Sequence, residues 1–170
     1  DIEYVVLDLS ENGGGLQSNA IGLLNLFFSE GIPFHKITSQ SKIPFEMTKE
    51  ETDRFPTKFL TIVINGRSAS ATEQTVLGFQ TLADKKTLII GDESVGKYYG
   101  QTLYSLFESG ITIKYSTFYY DQNHPGSGVG IKPEIYAVDI MKQWTTKKNI
   151  KSSDLVGWFL DNFGNQVVPR

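Results

Sequence analysis

A small serine stands on a short polar turn between an apolar run and a helix-like run. The turn reads Asn65-Gly66-Arg67-Ser68-Ala69-Ser70-Ala71-Thr72-Glu73, after Phe59-Leu60-Thr61-Ile62-Val63-Ile64. Backbone N–H groups at a helix start are unpaired and attract a nearby anion. That geometry suits a nucleophile whose attack on a carbonyl creates an oxyanion. Downstream stand Lys97 and, four residues later, Gln101. A serine hydroxyl needs a base before it can attack, and an amine serves as base only when neutral. An ordinary amine of pKa ~10.4 is neutral in about 1 of 2500 copies at pH 7, so the base needs desolvated surroundings. Lys97 follows Gly96 and is flanked by Val95, Tyr98 and Tyr99, which suits such surroundings. Gln101 can orient the amine through a neutral amide, without a charge that would hold it protonated. The residues alone also allow a surface lysine and a helix-capping serine.

Other motifs compete for the same residues. Gly91-Asp92-Glu93-Ser94-Val95-Gly96-Lys97 fits the phosphate-loop pattern G-x-x-x-x-G-K after a strand. Three points oppose that reading. Tyr98 stands where a magnesium-binding hydroxyl belongs, Asp92 and Glu93 are negative, and the next segment reads as a strand rather than a helix. Ser-x-x-Lys occurs at Ser39–Lys42 and Ser94–Lys97, but both lie in expected loops rather than on a helix face. A Ser–His–Asp triad needs an oriented imidazole; His35 lies in a short apolar stretch and His124 in a turn, so both read as ordinary packing or turn residues.

The elements that would position these groups are legible in outline. Residues 4–9 read as a buried strand, 10–15 as a glycine-rich loop and 19–28 as a helix. A short strand is expected at 34–38 and an irregular loop at 39–58. Residues 59–65 read as a strand, 71–83 as a helix, 87–90 as a strand and 91–97 as a loop. Residues 102–107 and 111–118 read as an antiparallel pair joined at Glu108-Ser109-Gly110. Residues 121–129 are turn-rich, 135–138 suggest a last strand, and 154–163 an amphipathic helix capped by Ser152 or Ser153. Strand–helix alternation in the first half argues for an α/β layer.

Composition narrows the function classes. The 170 residues suffice for one well-buried domain, and 39% apolar residues with 16 glycines are ordinary for a globular protein. The chain has no cysteine, so disulfides, thiol catalysis and cysteine metal sites are excluded. Two histidines without His-x-x-x-His spacing make a zinc site unexpected. A net charge of -3 without a basic, aromatic-interleaved stripe argues against nucleic-acid binding. The cluster Lys142, Lys147, Lys148, Lys151 reads as a solvated face. No run is long and apolar enough for a transmembrane helix, and no signal peptide is evident. A chain opening on Asp1 is expected to be a processed product, an excised domain or a fragment.

Four segments in order resemble the C-terminal processing peptidases (tail-specific proteases). They are Asp8-Leu9-Ser10-Glu11-Asn12-Gly13-Gly14-Gly15, the Asn65–Glu73 turn, Gly96-Lys97 with Gln101, and Gly128-Val129-Gly130-Ile131-Lys132-Pro133-Glu134-Ile135. The resemblance implies an α/β fold with a crotonase-like β/β/α core, incomplete at its N-terminal side, with residues 1–170 as a single catalytic domain. It implies a Ser/Lys dyad: Ser70 as nucleophile, Lys97 as base, Gln101 as support for the amine, and Gly14 and Ala71 N–H groups as oxyanion hole. No cofactor or metal is implied. Implied partners are extended or unfolded polypeptides cut near apolar C-termini, in the bacterial periplasm or cell envelope, with a homo-oligomer compatible. Ser10, Gly13, Tyr98 and Glu134 depart from the family pattern and bear on the shape of the substrate groove. The family's peptide-binding PDZ domain, which precedes the Asp-Leu strand, does not lie within these residues. Two alternatives stay open: a non-catalytic crotonase-like binding module, and a half domain inactive without its upstream part.

Overall fold

The computed structural model describes residues 4–27, 35–37, 42–44, 59–81, 86–121 and 125–137, with the single helical positions 157 and 161. Apart from those two positions, the expected helix at 154–163 lies outside the described residues, as do His124 and most of the 39–58 loop.

β-Branched and apolar runs make a parallel sheet. β1 (Tyr4–Asp8) pairs with β4 (Phe59–Ile64), β4 with β5 (Lys86–Gly91), and β5 with the short β8 (Ile135–Tyr136), all parallel. β4 is central, and its residues are buried on both faces from Leu60 onward. That explains a sequence with no polar alternation, since helices or loops must cover both sides of a parallel sheet. One face carries the main core: Leu24, Leu60, Ile62, Ile64, Val76, Phe79, Ile89 and Tyr98. The other face buries Val63 and Ile90 under Val6, Phe59, Leu88 and Ile135.

Two helices cover the core face and pack on each other. α1 (Gln17–Asn25) contributes Ala20 and Leu24, and α2 (Ala71–Thr81) is buried from Ala71 through Phe79. Phe27 meets Phe79 edge to face at 5.2 Å between ring centroids. α1 begins at Gln17, two residues before the expected start, although Leu16 supplies no capping side chain.

A second sheet is antiparallel, in the order β3 (Lys42–Pro44), β2 (His35–Ile37), β7 (Ile111–Asp121), β6 (Tyr99–Leu106). β2 and β3 are short, and β3 falls where an irregular loop was expected. β6 and β7 form a long hairpin around the expected turn, where Ser109 and Gly110 both donate N–H bonds to Leu106 O. β6 starts three residues earlier than expected. Its first two residues pair across a register shift after Gly100, where the pairing passes from Gly100–Phe118 to Gln101–Ser116. Phe118 lies across Gly100 so closely that a Cβ there would sit 2.0 Å from the ring.

Candidate active site

The turn from β4 into α2 separates the two candidate serines. Ser68 is fully buried; its hydroxyl donates to Leu9 O at 2.8 Å and accepts from Asn65 N–H at 3.0 Å. That hydroxyl is fixed as a strut between β1 and β4. Ser70 is half-buried, and its Oγ makes no hydrogen bond among the described residues. Its backbone is left-handed at φ 60, a conformation uncommon outside glycine and frequent at functional turns. The turn therefore presents one free hydroxyl at the start of α2.

The residue that holds this turn is Glu73. It is fully buried, and its carboxylate accepts four hydrogen bonds. Oε2 takes Ser70 N–H at 2.8 Å and Lys97 N–H at 2.8 Å; Oε1 takes Ser94 Oγ–H at 2.5 Å and Gly96 N–H at 2.6 Å. Glu73 is the third residue of α2, so its reach back to Ser70 N–H is half of a capping box. The Ser-x-x-Glu spacing could have revealed that half. Nothing in the sequence marks the other three bonds, which cross from α2 to loop 91–97. They also dispose of the phosphate-loop pattern: Gly96 and Lys97 N–H groups are spent on an internal carboxylate, and β6 follows instead of a helix.

The Gly-x-Gly-Ile segment braces the same loop. Ser94 N–H donates to Ile131 O and Ile131 N–H to Ser94 Oγ, while Gly128 N–H donates to Gly96 O. A Cβ on Gly130 would sit 2.0 Å from Ser94 O, so only glycine allows this approach. Tyr98 is buried beside it and donates its hydroxyl to Val129 O at 3.1 Å. Burial first, then the nearby Glu73 charge, push the Tyr98 phenol well above its ordinary range.

Lys97, held at its backbone by Glu73, is half-buried. Its Nζ donates to Gln101 Oε1 at 3.3 Å and lies 5.6 Å from the Tyr99 ring centroid. No bond joins Lys97 Nζ to Ser70 Oγ among the described residues. Both side chains nonetheless line one groove of about 540 Å³, with Gly13–Gly15, Leu16, Gln17, Gln101, Leu103, Lys114 and Phe118. The sequence had marked none of the apolar walls.

The glycine loop is tied to the serine turn from the other side. Asn65 Oδ1 accepts from Glu11 N–H and Arg67 N–H, Asn65 Nδ2 donates to Glu11, and Arg67 pairs with Glu11 at 2.6 Å. Ala69 N–H donates to Asn12 O. Gly14 then passes so near the turn that a Cβ on it would lie 2.6 Å from Ala69 O and 2.9 Å from Ser70 Cβ. The expected oxyanion donors are thus neighbours but differ in state. Ala71 N–H has no acceptor among the described residues, as the first turn of a helix leaves it. Gly14 N–H donates to Asn12 Oδ1 at 3.0 Å. Next to them a smaller cavity of about 160 Å³ is walled by Leu9, Leu16, Ala20, Leu23, Ala71 and Thr75 among others. Among the described residues, no cluster of three His, Asp or Glu side chains could hold a metal ion, and no helix is long and apolar enough to cross a membrane.

Comparison with known proteins agrees in family and fold. The model of peptidase family S41 matches residues 1–137. A carboxy-terminal-processing protease of Bartonella bacilliformis is 31% identical over 131 residues, covering 76% of this chain and 30% of that protein. The chloroplastic carboxyl-terminal-processing peptidase 1 of Arabidopsis thaliana is 28% identical over 153 residues, 86% of this chain and 30% of that protein. The solved photosystem II D1 C-terminal processing protease superposes with a TM-score of 0.63 at 21% identity, over 79% of this chain and 34% of that one. The chain spans 30% of the length of the two curated relatives.

Proposed function

The chain belongs to peptidase family S41, and on that premise we propose that it carries the Ser/Lys dyad of a serine endopeptidase acting on extended polypeptides near apolar C-termini. The observation that carries the reading is the shared groove of Ser70 and Lys97, with the backbones of both held by one oxygen of Glu73.

In the proposed reaction, neutral Lys97 takes the Ser70 hydroxyl proton as Oγ bonds to the peptide carbonyl carbon. The carbonyl oxygen becomes an oxyanion facing the N–H groups of Ala71 and Gly14. Asn12 Oδ1 occupies Gly14 N–H in the free protein, so the oxyanion must replace it there. The tetrahedral intermediate collapses, the C–N bond breaks, and the Lys97 ammonium gives its proton to the leaving amine. Water, deprotonated by Lys97, then releases the acyl group and restores Ser70. Gln101 orients the amine throughout.

A specific observation favours a second reading of the isolated segment. The Lys97 amine rests on Gln101 rather than on Ser70, which supports a half domain inactive without its upstream part. We place the setting, by family, in the bacterial periplasm or cell envelope. The test is cleavage of an unfolded polypeptide with an apolar C-terminus by full-length protein, with Ser70→Ala and Lys97→Ala. Loss of cleavage in both with the fold intact supports the dyad; undiminished activity in Lys97→Ala sinks it.

A further inference from the structure

The groove holds a second lysine that the dyad chemistry does not use. Lys114 lines the groove with Ser70, Lys97 and Gln101. Strand register fixes its place. Lys114 faces Leu103 across the hairpin, and the next rung toward the dyad is Gln101 with Ser116. Directly opposed residues share a face, and rungs on one face are two residues apart, roughly 7 Å. Lys114 therefore stands one rung beyond the glutamine that holds the Lys97 amine. Its neighbours on that face are uncharged: Leu103 opposite, Gln101 and Ser116 on one side, Ser105 and Thr112 on the other. No carboxylate pairs with Lys114 among the described residues, and no Asp or Glu lines the groove. Leu16, Leu103 and Phe118 supply apolar surface in the same groove, and Lys114 itself is exposed to solvent.

A cation without a counter-charge, set in a substrate groove, selects for a substrate anion. We propose that Lys114 is a specificity-determining residue that recognises a substrate carboxylate about two residues from the scissile bond. Lys114 lies ~7 Å along the hairpin from the rung of Gln101, a span that an extended peptide covers in two residues. The carboxylate is either an acidic side chain or the terminal carboxylate of the chain being cut. The inference rests on the peptidase reading of the groove.

The experiment uses full-length protein and two peptide series. In one, glutamate or glutamine occupies successive positions on each side of a fixed cleavage site. In the other, a free carboxylate or an amide ends the chain at successive distances. The expected acid-over-amide ratio in kcat/KM is about twofold to fivefold at low ionic strength, confined to one or two positions. It shrinks as salt is added. The responding series identifies the source of the carboxylate. In Lys114→Gln the ratio falls to about one, and in Lys114→Glu it drops below one. An equal rate for acid and amide peptides in the unmodified protein, or a preference that survives Lys114→Gln, overturns the proposal. If no peptide is cut, the peptidase reading fails separately. Binding of the same peptides to Ser70→Ala, followed by fluorescence anisotropy, then decides the Lys114 proposal: equal affinities for acid and amide overturn it.

Discussion

The main-chain N–H groups of Ser70 and Lys97 donate to the same atom, Glu73 Oε2, at 2.8 Å each. The two residues belong to different connections, one leading into α2 and one leaving β5. A single buried oxygen therefore sets the separation of the two backbones that carry the proposed nucleophile and base.

Removing that bridge should cost both stability and rate. Glu73→Gln keeps one acceptor oxygen for four donors, two of them buried. Each donor left unpaired costs about 1–3 kcal/mol, so a loss of roughly 2–5 kcal/mol is expected. Urea denaturation measures it. The turnover of the folded fraction should fall as well, because the two loops lose their common anchor. A variant as stable as the parent would show that the four bonds contribute little.

Lys97 and Gln101 should respond differently to charge. Gln101→Ala removes the acceptor of the amine and should lower kcat by about tenfold, at the small end of the effect of positioning a proton-transfer group. Gln101→Glu keeps an acceptor but adds a negative charge, which holds the amine as an ammonium that cannot take the Ser70 proton. The glutamate variant should therefore be slower than the alanine variant at neutral pH. The reverse order would argue that Gln101 only fills space.

Gly14 should tolerate no side chain. Its φ of 97 strains any other residue, and a Cβ would press into the Ala69 carbonyl. Gly14→Ala should displace the loop from the serine turn and lower kcat by ~10²–10³, the usual effect of losing one oxyanion donor. Gly13→Ala meets open space and serves as the comparison. Equal effects at the two positions would remove Gly14 from the oxyanion site.

Alkaline pH should weaken the fold through Tyr98. Burial and the Glu73 charge favour its neutral phenol in the folded protein. An unfolded tyrosine titrates near ~10. The stability from this group is therefore complete below ~10 and is lost as pH rises through the higher folded value. Unfolding free energy should decline by up to about 1.4 kcal/mol per pH unit between ~10 and that higher folded value. Tyr98→Phe should flatten the decline and cost about 1 kcal/mol at neutral pH for the lost bond to Val129 O. Denaturation midpoints between about pH 9 and about pH 11 provide the check.

By itself the sequence determined the order of strands and helices around the site and the family the chain belongs to. Apolar runs long enough to be buried announce β1, β4 and β5, and the Ser-x-x-Glu spacing announces the start of α2. Those signals are local, so they survive without a fold. Ser70 was separable from Ser68 only by motif comparison; the tertiary structure adds a physical reason, since Ser68 is consumed between Leu9 and Asn65. Glu73 as the bridge between two loops, Phe118 over Gly100, and Lys114 in one groove with Ser70 and Lys97 were not legible. Each depends on contacts between residues tens of positions apart or on strand register, and a one-residue shift in register would turn Lys114 to the opposite face. Composition and spacing name the groups that can react; packing decides which of them meet.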